Sequence, residues 1–376
     1  MITPSEFLEM LLRNGLRHFI GVPDSTLSGL STEIEGSSSV DIHLISPNEG
    51  TAVALAIGYH LATRKIPVVY MQNSGLGNAL NPLVSLAHPE VFGVQMLLIV
   101  GWRGVPGRVD EPQHIVQGAI SSELLRVVGM NSLTVDKNLS LSELEKFVKE
   151  QSEVSNGPFA LVVNPDVLTE AAKTKASPKN PSLSREGALI AVIESLPEDA
   201  IVVATTGKLS RELSEYRETA NLIVQDLLTI GGMGHANAIA LAIAMQKPDR
   251  TVVCLDGDGA FQMHLGAGAL IGEISAGNFT HILFNNGIHE SVGGQKIAAP
   301  HIDYLGLTAS FGYKGYDLLV SQDEICSGIP KICTRSGPNF VEIRVNDAVR
   351  TNLKRPKCGP KENKIAFQAY ISNNSA

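Results

Sequence analysis

The stretch Thr251-Val-Val-Cys-Leu-Asp-Gly-Asp-Gly-Ala260 decides the fold of this chain. Its apolar first half is typical of a buried strand, and that strand runs directly into two glycines that flank Asp258. A second strand pattern, His281-Ile-Leu-Phe284, runs into Asn285-Asn286. If the two strands are parallel neighbours, they deliver a carboxylate and a carboxamide to the same edge of one sheet. That edge is where open α/β sheets bind ligands.

The side chains expected at this edge carry hard oxygen atoms. Mg²⁺ prefers such ligands and keeps other coordination positions for phosphate oxygens and water. Glycine at 257 and 259 lets backbone N–H groups approach a diphosphate closely. Gly-Asp-Gly followed at this spacing by Asn-Asn resembles the diphosphate-anchoring motif of the thiamine diphosphate enzymes. The resemblance implies cofactor contacts at Gly257, Asp258, Gly259 and Ala260, and a Mg²⁺ shell of Asp258, the Asn286 side chain and the Ile288 main-chain oxygen.

Composition describes a globular chain and excludes several classes of function. The 376 residues are 44% hydrophobic and 18% charged, with a net charge of −8, which argues against nucleic acid and anionic membranes as partners. The four cysteines lack CxxC spacing, so we expect reduced thiols in a cytoplasmic protein. The N-terminus shows no signal-peptide pattern, and no apolar run approaches the ~20 residues of a membrane span.

The order of strand and helix patterns predicts two α/β domains. In both halves apolar strands alternate with helices, which indicates doubly wound, mostly parallel sheets. We expect a first domain at 1–168, a linker rich in Pro, Ser and Lys at 169–183, a second domain at 184–350, and a basic, irregular tail at 351–376. The resemblance implies that these are the pyrimidine-binding and diphosphate-binding domains of the thiamine diphosphate fold, with no room for a middle domain.

Further segments match the cofactor-binding elements of the same enzymes. Glu49 ends a strand and precedes a small-residue helix, as does the carboxylate that hydrogen-bonds N1′ of the aminopyrimidine in this family. Gln72-Asn-Ser-Gly-Leu-Gly-Asn78 resembles the family's glycine-rich turn and adds Asn73 as a cofactor contact. The resemblance also implies that the Gly231 carbonyl accepts from the 4′-amine, that Met233 wedges between the two rings, and that Thr206 and Gly207 lie near the diphosphate.

Several motifs taken together narrow the family. The chain is similar to the phosphonopyruvate decarboxylases, a branch of the thiamine diphosphate-dependent 2-oxo acid decarboxylases, along essentially its whole length. The resemblance implies decarboxylation of 3-phosphonopyruvate to phosphonoacetaldehyde and CO₂ in phosphonate biosynthesis. The motifs that carry it are Gly21-Val-Pro-Asp-Ser25, Ser74-Gly-Leu-Gly-Asn78, Gly101-Trp-Arg-Gly104, Asp110-Glu-Pro-Gln-His114, Met233-Gly-His-Ala236 and Asn285-Asn-Gly-Ile-His-Glu-Ser-Val-Gly-Gly294.

The substrate and its proton transfers suggest a further set of residues. Asp24 and His114 lie in strand-end loops of the same half as Glu49 and are candidates for the proton transfers. Ser25, beside Asp24, is a candidate substrate contact. Arginine suits bidentate contact with a phosphonate, so Arg103 or Arg108 is expected to hold that group. Lys208 and the run Lys354-Arg355-Pro356 depart from the family pattern and leave the substrate preference open.

Family resemblance also implies a homodimer or larger assembly, with Glu49 and the Gly-Asp-Gly site contributed by different subunits. Three alternatives stay open at this point: a sulfopyruvate decarboxylase, a carboligase, and a non-catalytic thiamine diphosphate-binding subunit. Absence of a middle domain disfavours the carboligase, and intact Glu49, Asp258 and Asn286 disfavour the non-catalytic subunit. A nicotinamide oxidoreductase is disfavoured because no GxGxxG follows the first strand.

Overall fold

A computed structural model describes residues 2–168, 183–222, 225–290, 294–346, 350 and 352–372. These residues fall into two compact units. The first contains residues 2–168 together with 294–298, and the second contains the remaining described residues from 183 onward. The proposed linker at 169–183 lies outside the described residues except for its last position, so its boundaries stay a prediction.

The described residues of the first unit form a six-stranded parallel sheet flanked by helices. The strand order is β2-β1-β3-β4-β6-β5, so β2 lies on one side of β1 and the later strands lie on the other side. The strands are β1 (His18–Gly21), β2 (Ile42–Ile45), β3 (Val68–Gln72), β4 (Met96–Gly101), β5 (Ser132–Val135) and β6 (Pro158–Val163). The helices are α1 (Pro4–Arg13), α2 (Ser28–Gly36), α3 (Glu49–Thr63), α4 (Leu76–Pro82), α5 (Pro112–Val127) and α6 (Leu141–Val154), with 3₁₀ turns at Ser25–Leu27 and Asn73–Gly75 and a π-helical turn at Leu83–Ala87.

Local sequence explains where these helices begin. Thr3 and Glu6 form the predicted capping box at α1, with Pro4 at its first position. Ser140 and Glu143 form a second capping box at α6. Strands β4 and β6 are buried along their whole length, which explains their nearly continuous apolar sequences. They form the centre of the core.

The second unit repeats the architecture. Its described residues form a six-stranded parallel sheet in the order β13-β14-β10-β9-β7-β8. The strands of this sheet are β7 (Ile201–Ala204), β8 (Leu227–Leu228), β9 (Val252–Gly257), β10 (Phe279–Asn285), β13 (Gly315–Leu319) and β14 (Asn339–Arg344). The two-residue strand β11 (Ile288–His289) lies outside it, and the two-residue strand β12 (Gln295–Lys296) falls within residues 294–298 of the first unit. The helices of the unit are α7 (Arg185–Ser195), α8 (Lys208–Thr219), α9 (Ala236–Gln246), α10 (Asp258–Met263), α11 (Gly266–Ile274), α12 (Tyr304–Phe311), α13 (Gln322–Thr334) and α14 (Pro360–Ser372).

Strands β9 and β10 are the two strands that the opening motif predicted. They pair in parallel with Phe284 opposite Gly257, so their carboxyl ends lie at one edge of the sheet. The predicted α/β architecture with parallel sheets is therefore confirmed in both units. The apolar stretch Leu222-Ile-Val224 also predicts a strand from sequence. It lies largely outside the described residues, and the nearest strand that the structure describes is β8.

The C-terminal tail was predicted to be irregular, and this prediction is wrong. Residues 360–372 form helix α14, which packs on strand β8 through the buried side chains of Asn363 and Phe367. Tyr370 donates from its hydroxyl to the Ala200 carbonyl at 2.9 Å and lies under the Arg250 guanidinium at 4.4 Å. The sequence pattern did not predict this helix, because it contains lysines and only two of its positions are buried.

None of the helices in the described part of the chain combines the length and apolar character that spanning a bilayer requires.

Candidate active site

Asp258 is the centre of the polar edge of the second sheet. It begins α10 directly after β9 and is only 4% exposed. Its Oδ2 accepts from the backbone N–H of Asn286 at 3.1 Å and of Gly287 at 2.6 Å, and its Oδ1 accepts from the N–H of Gly259 at 2.7 Å. The structure thus brings together the two motifs that the sequence placed at one edge.

The conformation of the loop after β10 depends on Gly287 and on the two asparagines, whose side chains have different hydrogen-bond partners. Gly287 has φ of +71°, a left-handed conformation that side-chain-bearing residues rarely adopt. Asn285 turns back into the sheet, where its Nδ2 donates to Glu342 at 3.0 Å. Asn286 stays in the loop, and its Oδ1 accepts from the Ile288 N–H at 3.1 Å. Only the second asparagine therefore presents its carboxamide at the edge beside Asp258.

Burial raises the pKa of Asp258 to about 6, although three backbone N–H groups stabilise its charged form. Within the described residues no lysine or arginine forms an ion pair with this carboxylate, and neighbouring Asp256 adds to the negative charge. A buried carboxylate in this position is stabilised by a cation. The donor set of a carboxylate, a carboxamide oxygen and main-chain carbonyls fits Mg²⁺, whose preferred ligands are oxygens.

Strand β7 ends at the same edge of the second unit. Thr205 follows this strand, and its buried Oγ1 has no hydrogen-bond partner among the described residues. The predicted contacts Thr206 and Gly207 come next, and both are half-buried. A buried hydroxyl without a partner is costly, so this position suits a ligand atom. Sequence reasoning named the two residues that follow Thr205 and missed Thr205 itself.

The second cofactor segment predicted from sequence, 229–236, begins after β8. Thr229 is fixed to the end of β7, since its Oγ1 donates to the Ala204 carbonyl at 2.7 Å. Gly231 and Met233 are half-buried, and Met233 is absent from the hydrophobic core clusters of this unit. Core packing therefore does not explain this methionine. The assignment of Met233 and Gly231 to the cofactor rings stays a prediction.

A buried ion-pair network lies beside the loop of Asn286, and no sequence pattern indicated it. Arg185 donates through Nε and Nη2 to the two carboxylate oxygens of Glu212 at 2.8 and 2.7 Å. The same guanidinium contacts Glu290, which also accepts from Lys208 Nζ at 3.1 Å. Arg185 and Glu290 are 105 positions apart in the chain, so no local pattern could reveal the pair. Lys208, which departs from the family pattern, is thereby accounted for as a partner of Glu290.

Glu49 occupies the corresponding edge of the first sheet. It is the first residue of α3, follows β2, and is 6% exposed. Its Oε2 accepts from Asn78 Nδ2 at 2.9 Å. Gly75 passes so close that a Cβ at this position would lie 2.4 Å from Glu49 Cγ, so a larger residue here would displace the Glu49 side chain or the turn. Asn78 and Gly75 belong to the glycine-rich motif, but only the structure shows that they contact Glu49.

Asp24 follows β1 at the same edge and is fully buried. Its Oδ1 accepts from Gln72 Nε2 at 2.7 Å, and its Oδ2 accepts from the Thr26 hydroxyl. Burial raises the pKa of Asp24, and the two side-chain donors and the Arg103 charge offset only part of that shift. Asp24 does not act as a side-chain cap for the turn at Ser25–Leu27. Ser25, the adjacent predicted substrate contact, is half-buried.

Asn73 and Arg103 form a connected polar structure after β3 and β4. Asn73 is fully buried and pairs with the Arg103 backbone in both directions, at 2.9 and 3.0 Å, while also donating to Ser121 Oγ. Arg103 makes a bidentate ion pair with Asp110 at 2.9 and 2.5 Å, which holds the pKa of Asp110 far below its usual range. The Asn73 side chain and the Arg103 charge are thus occupied by protein groups, and their roles toward ligands stay predictions.

His114 and Arg108 differ sharply in exposure. His114, on α5, is buried, and its Nδ1 has no partner among the described residues. Burial, together with the Arg103 charge, lowers the pKa of His114 and favours the neutral imidazole. Arg108 lies in the loop before α5, where it pairs with the exposed Asp166 at 3.3 Å. Such an exposed pair is worth well under ~1 kcal/mol, so Arg108 is easily recruited by another anion.

Comparison with protein families identifies both halves of the chain. Residues 5–125 match the N-terminal TPP binding domain of thiamine pyrophosphate enzymes. Residues 205–343 match the C-terminal TPP binding domain of the same enzymes. The predicted fold class, two thiamine diphosphate-binding domains with parallel sheets, is therefore confirmed.

Relatives of known function align along the whole chain. A phosphonopyruvate decarboxylase from Streptomyces viridochromogenes is 32% identical over 100% of this chain and 96% of its own length. A second one, from Streptomyces hygroscopicus, is 31% identical over 99% of this chain and 94% of its own length. A sulfopyruvate decarboxylase from Methanosarcina acetivorans is more distant, at 25% identity over 86% of each chain.

Proposed function

The chain belongs to the phosphonopyruvate decarboxylase family of thiamine pyrophosphate enzymes, and on that premise we propose that it converts 3-phosphonopyruvate to phosphonoacetaldehyde and CO₂. The observation that carries this proposal is the identity of 32% that extends over the full chain. We place the reaction in phosphonate biosynthesis and in the cytoplasm.

We assign the metal and the diphosphate to the second unit. Asp258, the Asn286 carboxamide and the Ile288 carbonyl would hold Mg²⁺, and Gly257, Gly259, Ala260, Thr206 and Gly207 would contact the diphosphate. Support comes from the buried, unpaired charge of Asp258 and from the buried hydroxyl of Thr205. When bound, thiamine diphosphate supplies the electron sink that accepts the electron pair left by CO₂.

Glu49 is assigned to the N1′ nitrogen of the aminopyrimidine. Asn78 donates a hydrogen bond to one oxygen of the Glu49 carboxylate. Because Gly75 has no side chain, the carboxylate has space beside the turn. A carboxylate whose position is fixed in this way holds or releases a proton at one ring atom without reorganising. Gly231 and Met233 would complete the ring site.

Asp24 and His114 are assigned to the proton transfers. Burial raises the pKa of Asp24 and lowers the pKa of His114, so it shifts each group toward its neutral form. Both are candidates for moving a proton to or from the substrate, and Ser25 is a neighbouring substrate contact. The positive charge of Arg103 lowers the pKa of both Asp24 and His114.

Arg108 is the stronger of the two phosphonate candidates. Asp110 neutralises the Arg103 guanidinium through two hydrogen bonds, whereas Asp166 holds Arg108 by a single exposed contact. A phosphonate offers the bidentate geometry that arginine prefers. We therefore assign the phosphonate to Arg108 and a structural role to Arg103.

Sulfopyruvate is the competing substrate. The relative from Methanosarcina acetivorans aligns over 86% of its own length, so the length of a single chain does not separate the two activities. The higher identity with the two Streptomyces enzymes favours phosphonopyruvate.

The test is CO₂ release from phosphonopyruvate and from sulfopyruvate, measured side by side with thiamine diphosphate and Mg²⁺. We expect rapid turnover of phosphonopyruvate and at least tenfold lower kcat/KM for sulfopyruvate. The reverse preference would reassign the substrate and keep the cofactor chemistry. Absence of CO₂ from both acids in a protein that binds the cofactor would refute the proposal.

A further inference from the structure

Glu290 is a buried carboxylate at the end of the loop that carries Asn286 and Ile288. Its side chain is 5% exposed and lies two positions after Ile288. A buried carboxylate is costly unless other groups supply charge and hydrogen bonds. The residues that pair with Glu290 therefore determine where this end of the loop can lie.

Two cations from separate helices hold Glu290. Arg185, the first residue of α7, contacts Oε2 through Nη1 and Oε1 through Nη2 at 3.3 Å. Lys208, the first residue of α8, contacts Oε1 through Nζ at 3.1 Å. Glu212 accepts from Nε and Nη2 of Arg185, so two cations face two carboxylates within the network. Removing one member of such a buried network is costly, because it leaves its partner buried without full compensation.

The network reaches the proposed metal ligand through Asn286. Asn286 Nδ2 makes a long contact of 3.5 Å with Glu290 Oε2, while its Oδ1 accepts from the Ile288 N–H. The Oδ1 and Nδ2 atoms of a carboxamide lie in one plane on the same carbon, so attraction of Nδ2 toward Glu290 also determines where Oδ1 lies. The other end of the loop is held by Asp258, which accepts from the Asn286 and Gly287 backbone.

We infer that Glu290, held by Arg185 and Lys208, is a positioning residue that orients the Asn286 carboxamide as a ligand for the divalent cation. The inference rests on the proposed function, because it requires a cation between Asp258 and Asn286. It assigns to this chain a specific ionic support for the metal loop. Supporting groups of metal ligands typically control affinity by 10–100-fold.

The test compares Glu290→Gln with Glu212→Gln by Mn²⁺ binding in the presence of thiamine diphosphate, measured by electron paramagnetic resonance and calorimetry. Both substitutions remove one carboxylate charge from Arg185, and Glu290→Gln also removes the charge that Lys208 contacts. Only the first touches Asn286. We expect Glu290→Gln to weaken Mn²⁺ binding at least tenfold and to change the spectrum of the bound ion, and Glu212→Gln to weaken it less than threefold.

Thermal unfolding without metal serves as the control for folding, and both variants should remain folded at the temperature of the binding measurement. Equal Mn²⁺ affinity in the two variants would overturn the inference and leave the proposed function intact. Failure of the unsubstituted protein to bind Mn²⁺ with thiamine diphosphate would overturn both together.

Discussion

At the scale of single residues, the contact between Gly75 and Glu49 gives the sharpest prediction. A methyl group at position 75 would lie 2.4–2.6 Å from the Glu49 carboxylate, which must then move. Displacement of a reacting group by ~1 Å can cost ~100-fold in rate. We expect Gly75→Ala to lower kcat for phosphonopyruvate by about that factor.

Gly77 supplies the matched control for Gly75, because nothing lies within 4 Å of a Cβ built on it. Gly77→Ala should retain activity within about twofold and slightly stabilise α4, as alanine favours helix more than glycine does. Steady-state kinetics of both variants decide the point. Full activity of Gly75→Ala would exclude Glu49 from the reaction.

Arg108 offers a second prediction at this scale. If it holds the phosphonate, Arg108→Ala should raise KM for phosphonopyruvate at least tenfold while kcat changes less than threefold. Arg126→Ala is the control, since Arg126 forms a comparable exposed ion pair with Glu123. An unchanged KM in Arg108→Ala would return the assignment to Arg103.

His43 makes the stability of the first unit depend on pH. Burial lowers its pKa to about 4, and its Nε2 lies 2.7 Å from the Tyr70 hydroxyl. In an unfolded chain histidine titrates near ~6.5, so the unfolded state binds more protons between these values. Stability contributed by neutral His43 is therefore complete above pH ~6.5 and is lost as pH falls toward 4.

Urea unfolding of His43→Gln and of the unsubstituted protein between pH 5 and 7 measures this effect. The difference in free energy of unfolding between the two proteins should shrink as pH falls. Between pH ~6.5 and pH ~4 the change is at most ~3 kcal/mol, and solvent screening makes the observed change smaller. His60→Gln on α3 is the control. A pH-independent difference for His43→Gln would show that His43 does not titrate in this range.

At the scale of elements, Asn363 of α14 completes the edge of the second sheet. Its Nδ2 donates to the Asp226 carbonyl at 2.9 Å, and its Oδ1 accepts from the Leu228 N–H at 3.1 Å. One carboxamide thus occupies the place of a neighbouring strand beside β8, the edge strand of the sheet. Asn363→Leu leaves both backbone groups buried and unpaired.

The expected cost of Asn363→Leu is about 2–4 kcal/mol in free energy of unfolding, from two unsatisfied backbone groups. Lys364→Leu, at the exposed neighbouring position, should change stability by less than ~0.5 kcal/mol. Urea denaturation of both variants provides the measurement. Equal stability of the two would mean that solvent or a local shift restores the lost hydrogen bonds.

Elements also show what could be predicted from sequence. Strands β9 and β10 were found because each is a buried apolar run that ends in a polar motif. Strands β5 and β13 were missed, since each lies at a sheet edge and has only one buried position. Helix α14 was missed for the same reason, as few of its side chains are buried. The network of Arg185, Glu212 and Glu290 joins distant segments, so only the fold reveals it.

At the scale of the whole molecule, we propose a homodimer or larger homo-oligomer. Helix α5 exposes four large apolar side chains, among them Ile115 at 59% and Val116 at 66% exposure. Several exposed apolar side chains on one helix indicate a surface that packs against another protein. A second copy of the chain is the partner that family resemblance implies.

Substitution of Val116 tests this assembly. Val116→Asp should shift the protein toward monomer in analytical ultracentrifugation and lower its activity in proportion. Val154→Asp on α6, at 75% exposure, is the control and should leave both unchanged. An active Val116→Asp monomer would refute an active site shared between subunits.

The edge contact made by Asn363 also has a consequence for how the chain is synthesised. Translation proceeds from the N-terminus, and domains begin to fold before the ribosome releases the chain. Asn363 lies 135 positions after Leu228, so β8 leaves the ribosome before its covering helix exists. An uncovered edge strand readily pairs with other chains. Chains truncated before α14 should therefore aggregate, whereas chains that contain α14 cover that edge themselves.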